Sequence, residues 1–311
     1  MIRKHNRRAA KAAFSIAFGV ALILGGTTAA SAAGDDATST ARKQATPIIV
    51  GTKNFPEQYI LGQLYKQALE AQGFKVGYKE NIASTELIDT SLRSGKITLY
   101  PEYTGIMLSV TFKRKTLPQT AAATYQLAKR LYGQRGQTLL AQTPFQDVDV
   151  LAVTRATANK YGLKTIRDLS KVPSLSIAGF PEWETRWTGQ IGSRYGVKGF
   201  DFVPLAGISA YTLLDQKKVL VADVFTTDPQ LLSGKYVQLR DPQNMFGFQY
   251  VAPVVSKKLV AEYGTRFTST IDKVTKLLSV KAIAAMNKAV GVDKKPAADV
   301  AAAFLQANGL S

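Results

Sequence analysis

Residues 95–104, GKITLYPEYT, and residues 217–226, KKVLVADVFT, overlay along their whole length. Each opens on a basic turn, runs through an apolar strand and closes with an acidic residue near an aromatic ring, followed by threonine. The overlay sets Tyr103 on Phe225 and Thr104 on Thr226. Parallel sheets present ligand contacts just beyond the carboxyl ends of their strands. Each half of the chain then offers an aromatic–threonine pair at such an end, and two halves facing one another make a cleft. A chance likeness between two short strand–turn segments is the alternative.

Outward from these two segments, short β-rich runs alternate with helical patterns, which predicts α/β architecture with largely parallel sheets. The strand runs are Ile48–Val50, Val148–Val153, Leu175–Ala178, Val219–Val224 and Tyr250–Val255. From Glu57 to Ala71, Ile60, Leu61, Leu64 and Leu69 recur at helical spacing, and Gly73 closes the run. By the same test helices are expected over Thr85–Leu92, Ala121–Leu131, Ala210–Leu214, Ile271–Leu278, Ile283–Val290 and Ala297–Asn308.

The N-terminus has a different logic. Arg3, Lys4, Arg7, Arg8 and Lys11 precede an apolar run from Ala12 to Leu24 and then Ala30-Ser31-Ala32. This is the pattern of a secretory signal peptide over residues 1–32, of the general rather than the twin-arginine type. Its apolar run is shorter than the roughly 20 residues a bilayer span takes. Residues 33–46 are small and polar and read as a disordered leader. About 265 of the 311 residues remain, enough for two domains or one large α/β unit.

Composition excludes several chemistries. The chain has no cysteine, so it has no disulfide, thiolate metal site, thiol nucleophile or lipidated N-terminal cysteine. Its single histidine, His5, lies in the signal segment, leaving the remainder without an imidazole for acid–base chemistry or zinc. No metal or cofactor is therefore expected. The net charge of +18 falls to +13 once the five signal-segment cations are set aside. Nucleic acid is the obvious partner to test against such a charge. The basic residues are dispersed among acids, however, and Lys113-Arg114-Lys115 is too short for a binding stripe. The excess reads as a solvated surface, with no nucleic-acid partner.

Three motifs carry candidate chemistry. GTKNFPEQ, residues 51–58, follows the first strand and opens a helix, so its amides and Lys53 make an anion seat. The plainer reading is a helix start, with Asn54 as cap and Pro56 in the first turn. YPEYTG, residues 100–105, sets two tyrosines at a strand end, suited to cation–π contact or simply to covering the sheet edge. PEWETRWTG, residues 181–189, holds both tryptophans, with Glu182 and Arg186 spaced for a helical ion pair or Arg186 free to grip a carboxylate. Asp147 and Asp149 lie two apart on a strand pattern, hence on one face. Glycosidase-type hydrolysis also needs two carboxylates, but no series of sugar-stacking aromatics accompanies this pair.

At these residues the chain resembles a known family. GTKNFPEQYILGQLYKQALEAQGF, NIASTELIDTSLRSGKITLYPEYTG, PEWETRWTG and VADVFTTD, in that order, resemble the glycine betaine/choline/carnitine-type substrate-binding proteins of ABC osmoprotectant importers over roughly residues 47–260. The resemblance implies a type II periplasmic-binding fold: two α/β lobes joined by two crossings, with a ligand cleft between them. The first lobe would take residues 47–151 and 253–311, and the second 152–252. The crossings are expected near residues 150–154 and 251–256.

Position by position, the family's carboxylate-binding lysine and arginine fall on Lys53 and Arg186, and one tyrosine of its aromatic cage on Tyr103. The remaining cage positions depart from the pattern, falling on Asp149, on Phe225, and on or beside Gln249. A carboxylate at Asp149 pairs a cation directly and rewards N–H donors, which betaine lacks. The resemblance thus implies an exported, monomeric binding protein, not an enzyme, that takes a compatible solute or related small zwitterion to a membrane permease. A polar or basic amino acid, or another non-osmolyte, is the alternative ligand class.

Overall fold

The computed structural model describes residues 45–311. The expected signal segment and nearly all of the expected leader lie outside the described residues. The first half runs β1 (Ile48–Gly51), α1 (Pro56–Ala71), β2 (Val76–Lys79), α2 (Thr85–Arg93), β3 (Leu99–Tyr103), the short α3 (Thr104–Ile106), α4 (Ala121–Gly133) and β4 (Gln137–Leu139). The chain continues through β5 (Asp149–Thr154), α5 (Arg155–Tyr161), β6 (Ser176–Gly179), α6 (Pro181–Tyr195), β7 (Asp201–Pro204), α7 (Ala210–Asp215), β8 (Val221–Phe225) and β9 (Tyr236–Gln238). It ends with β10 (Val251–Ser256), α8 (Lys257–Leu277), α9 (Val280–Asn287) and α10 (Ala297–Ala307).

Among the described residues the strands form two five-stranded sheets, ordered β2-β1-β3-β10-β4 and β7-β6-β8-β5-β9. Each strand of the first has a counterpart in the second, and the two echoed segments supply β3 and β8, the central strand of each. The sheets are mixed where largely parallel ones were expected. β1, β2 and β3 are parallel, as are β6, β7 and β8, but β10 and β5 run against both of their neighbours. The reason is connectivity: β5 and β10 each enter their lobe from the cleft, so they run away from the edge at which the parallel strands end.

Alternation along the central strands fills a core on both faces of each sheet. In the first lobe, Val251 and Val255 pack with α1 and the C-terminal helices through Leu61, Phe267, Ile271 and Leu305. Ala252 and Val254 face Ile88, Tyr100 and Tyr132. In the second, Leu151 and Val153 pack with Ile177, Trp183 and Tyr195, while Val150 and Ala152 pack with Tyr211 and Leu214. The helix expected over Ile271–Leu278 is the end of the 21-residue α8, which is broken at Gly264 (φ 62°).

The sheets also fix where the chain changes lobe. A boundary after residue 151 cuts β5, whose residues pair only within the second sheet, and one after 252 cuts β10, which pairs only within the first. The crossings therefore lie earlier than expected, between β4 and β5 and between β9 and β10. They meet in a bridge between Gln146 and Tyr250. Periodicity locates a strand but does not say which sheet receives it.

Candidate ligand cleft

A cavity of about 730 Å³ opens where strands of both sheets end. The first lobe contributes Lys53 and Phe55 from the turn after β1, Glu57 from α1, Tyr103 from the end of β3, and Asn287 from the end of α9. The second contributes Asp149 from the start of β5, Phe180 after β6, Trp183, Arg186 and Trp187 from α6, and Asp223 and Phe225 from β8. Asp147 and Gln249 reach it from the crossings.

Lys53 is buried, and its ammonium pairs with Glu102 at 2.6 Å. It also donates to Thr85 Oγ1 at 3.3 Å and lies 5.0 Å from the centroid of the Tyr103 ring. That ring stacks on Phe55 (6.2 Å, 22°), and its hydroxyl donates to Glu57 Oε1 at 2.9 Å. Glu57 Oε2 accepts from Asn287 Nδ2, which also reaches the Thr227 carbonyl of the second lobe at 3.3 Å. Burial raises the Tyr103 phenol well above its usual range, and the Glu57 carboxylate raises it further. Glu57 is itself raised by burial, against the hydrogen bonds it accepts.

The second-lobe wall is acidic. Burial and then Glu57 raise Asp147, whose Oδ1 accepts from the Thr227 hydroxyl at 2.8 Å. Burial raises Asp149 while Arg186 holds it down. Asp223, 2 % exposed, is raised well above the usual range by burial and by neighbouring Asp149. Asp149 stands opposite Phe225 in the β5–β8 register, so Asp223 is its diagonal neighbour on the same face. Arg186 is exposed, with its guanidinium 5.6 Å from the Trp187 ring; among the described residues it has no carboxylate within 4.0 Å, Glu182 included.

Seven of the residues expected at the site from sequence line this cavity: Lys53, Tyr103, Asp147, Asp149, Arg186, Phe225 and Gln249. Three do not. Asn54 is exposed, and the helix cap is Phe55, which makes no side-chain cap bond. Thr104 and Thr226 are held against the crossings: their hydroxyls donate to the carbonyls of Phe248 (3.1 Å) and Gln146 (2.7 Å). Gln249 has a structural duty too, since its Oε1 accepts from the amides of Gly105 and Ile106 at 3.0 and 3.1 Å. A Cβ on Gly105 would stand 2.8 Å from the Phe248 carbonyl, so the glycine of the YTG motif lets the crossing pass.

Glu57, Asp223 and Asn287 also line the cavity, outside the motifs' candidate site residues. Glu57 resembles any acid in a first helical turn. Asn287 arrives only through tertiary return. Asp223 did leave a signal: an acid inside VADVF, a run whose other members belong in a core.

Two α/β lobes on a double crossing, with a cavity at facing strand ends, define the class of two-lobed solute-binding proteins. The chain belongs to the family described as the substrate-binding domain of ABC-type glycine betaine transport systems (OpuAC), whose model matches residues 46–307. It is 29% identical over 283 residues to the glycine-betaine-binding protein of Pseudomonas aeruginosa, covering 86% of this chain and 89% of that one. It is 27% identical to the ergothioneine transport permease/ergothioneine binding protein EgtU of Helicobacter pylori, across 85% of this chain and 48% of that protein. Apo YehZ from Escherichia coli superposes with a TM-score of 0.74 at 26% identity, over 86% of this chain and all of that one. The protein is thus the solute-binding component of an ABC importer, a class that works outside the cytoplasm with a small-molecule ligand and a membrane permease.

Proposed function

We propose that the protein captures a small zwitterion or organic cation of the compatible-solute class and delivers it to its permease. The observation that carries this reading is the cleft lining, in which aromatic rings from both lobes (Phe55, Tyr103, Phe180, Trp187, Phe225) stand among carboxylates. The second-lobe rings and the carboxylates together attract a cationic head, and the Arg186 guanidinium suits an anionic end. Closure of the lobes about the crossings would bring Lys53 and Tyr103 toward Arg186 and Phe225.

In this reading the segment over residues 1–32 directs export, no lipid anchors the chain, and it works as a monomer by binding, without catalysis. A thermal-shift panel of glycine betaine, choline, carnitine, ergothioneine and amino acids tests it. A ligand at 100 times its Kd stabilises by about 2.7 kcal/mol. The expected result is a clear rise in Tm with at least one small cation or zwitterion of the panel, and a flat panel would overturn the reading. Native mass spectrometry of protein purified from its host identifies the bound solute directly.

A further inference from the structure

We propose that the cleft grips the cationic end of its ligand through N–H donors, as a primary amine or guanidinium held by Asp147, Asp149 and Asp223, and not as a hydrogen-free quaternary ammonium. The inference rests on the solute-binding reading and narrows its ligand class.

The first ground is an acceptor left open. Asp223 is almost wholly buried and lines the cavity; Asp149 and the Trp183 indole are its polar neighbours, yet neither its Oδ1 nor the Trp183 Nε1 makes a well-formed hydrogen bond. A buried acceptor without a donor is costly, and a methylated nitrogen cannot relieve it. Asp147 spends one oxygen on Thr227, while Oδ2 has no protein donor among the described residues.

The second ground is the set of carboxyl groups on the wall, which burial favours in the neutral form in the empty cleft and which a cationic ligand would draw into the charged form. Glu57, Asp147, Asp149, Glu182, Asp223 and Asp228 all line the cavity of a chain that is basic overall. Against them stand Arg186 and Lys53, and Lys53 is already matched by Glu102. Among the described residues no three such side chains converge to hold a metal ion.

The third ground is the Tyr103 ring. Its cation–π position is taken by the chain's own Lys53 ammonium, 5.0 Å from the ring centroid, and its ring stacks on Phe55. A ligand cation placed there would meet like charge. The second-lobe aspartates are the open alternative.

Isothermal titration with three N-methylation series tests the proposal: ethanolamine to choline, glycine to glycine betaine, and lysine to Nε-trimethyllysine. Within any series that binds, affinity should fall with each methyl, leaving the quaternary member roughly 100-fold or more weaker than its parent. Asp223→Asn should flatten that gradient, because an amide no longer rewards a cationic donor. Affinity that rises with methylation overturns the inference while leaving the solute-binding reading intact. If no member of any series binds, and the wider panel is flat as well, both fall together. The wild-type gradient decides the matter even if the variant fails to fold.

Discussion

Thr104 and Thr226 make matching pairs of hydrogen bonds to opposite crossings. The Thr104 amide donates to Tyr250 O and its hydroxyl to Phe248 O; the Thr226 amide donates to Val148 O and its hydroxyl to Gln146 O. In both cases the two acceptors lie two residues apart, immediately before the strand that enters the lobe. The repeated threonine thus clamps each central strand to the crossing beside it. In the likeness between residues 95–104 and 217–226 the threonines record this duplicated hinge, while the aromatic partners Tyr103 and Phe225 both line the cavity.

Replacing either hydroxyl with an isosteric methyl should therefore cost stability without touching the ligand. Thr226→Val removes two bonds, because the Val148 amide also donates to Thr226 Oγ1. We expect a loss of about 2 kcal/mol there and about 1 kcal/mol for Thr104→Val, measured by urea denaturation. Ligand affinity measured alongside should hold. The reverse result, with affinity lost at unchanged stability, would place the threonines at the ligand.

Gly105→Ala tests the same hinge by sterics. The added methyl would meet the Phe248 carbonyl at 2.8 Å and Gln249 Nε2 at 2.7 Å. The side-chain amide can swing away, but the carbonyl belongs to the crossing. The expected cost is about 1–3 kcal/mol, as for overpacking in a core. Gly105→Ala combined with Gln249→Ala should recover little of it. Full recovery would mean that the side chain, not the crossing backbone, sets the limit.

These hinge contacts mark the boundary of what sequence reveals here. Local pattern is enough for α1, with Pro56 opening it and leucines at helical spacing, and for β5, β8 and β10 as apolar runs. Direction is not local: nothing within Asp149–Thr154 says that it runs against β8, because that follows from entering through the cleft. The same limit separates Thr104 from Tyr103. Adjacent residues at a strand end point different ways, one ring into the cavity and one hydroxyl into the crossing, and spacing does not decide which. Asp223 was legible as an anomaly of composition, but its burial beside Asp149 is a fact of strand register.

Lys53 offers a test of whether a charge at the site serves the fold as well as the ligand. Its partner Glu102 is 0 % exposed, so removing the lysine leaves an uncompensated buried carboxylate. Lys53→Met should cost about 3–5 kcal/mol. Combining Lys53→Met with Glu102→Gln should return most of that loss, since breaking a buried pair is worse than replacing it. Equal destabilisation by the single and double changes, read from denaturant midpoints, would deny the pair this role.

The acidic wall predicts an unusual response to pH in the unliganded protein. Burial holds Asp147 and Asp223 well above the ordinary carboxylate range, with Glu57 and Asp149 respectively adding to the shift. The groups facing them are Glu57 on α1, Asp149 on β5, Asp228 beyond β8, and Glu182 and Arg186 on α6, with the Lys53–Glu102 pair across the cleft. A raised folded-state pKa means that the native protein holds protons the unfolded chain has released. Stability from such groups is complete below the unfolded value, about 4, and drains away as pH climbs through the raised folded value. Asp168, held low by Lys171, works in the opposite sense at acid pH, so the comparison has to be differential. Asp147→Asn and Asp223→Asn each remove one draining term. Relative to the parent, both variants should gain stability as pH rises from about 4 toward 8 in chemical denaturation across that range. Parallel curves for parent and variants would show that these carboxyls titrate alike in the folded and unfolded chain.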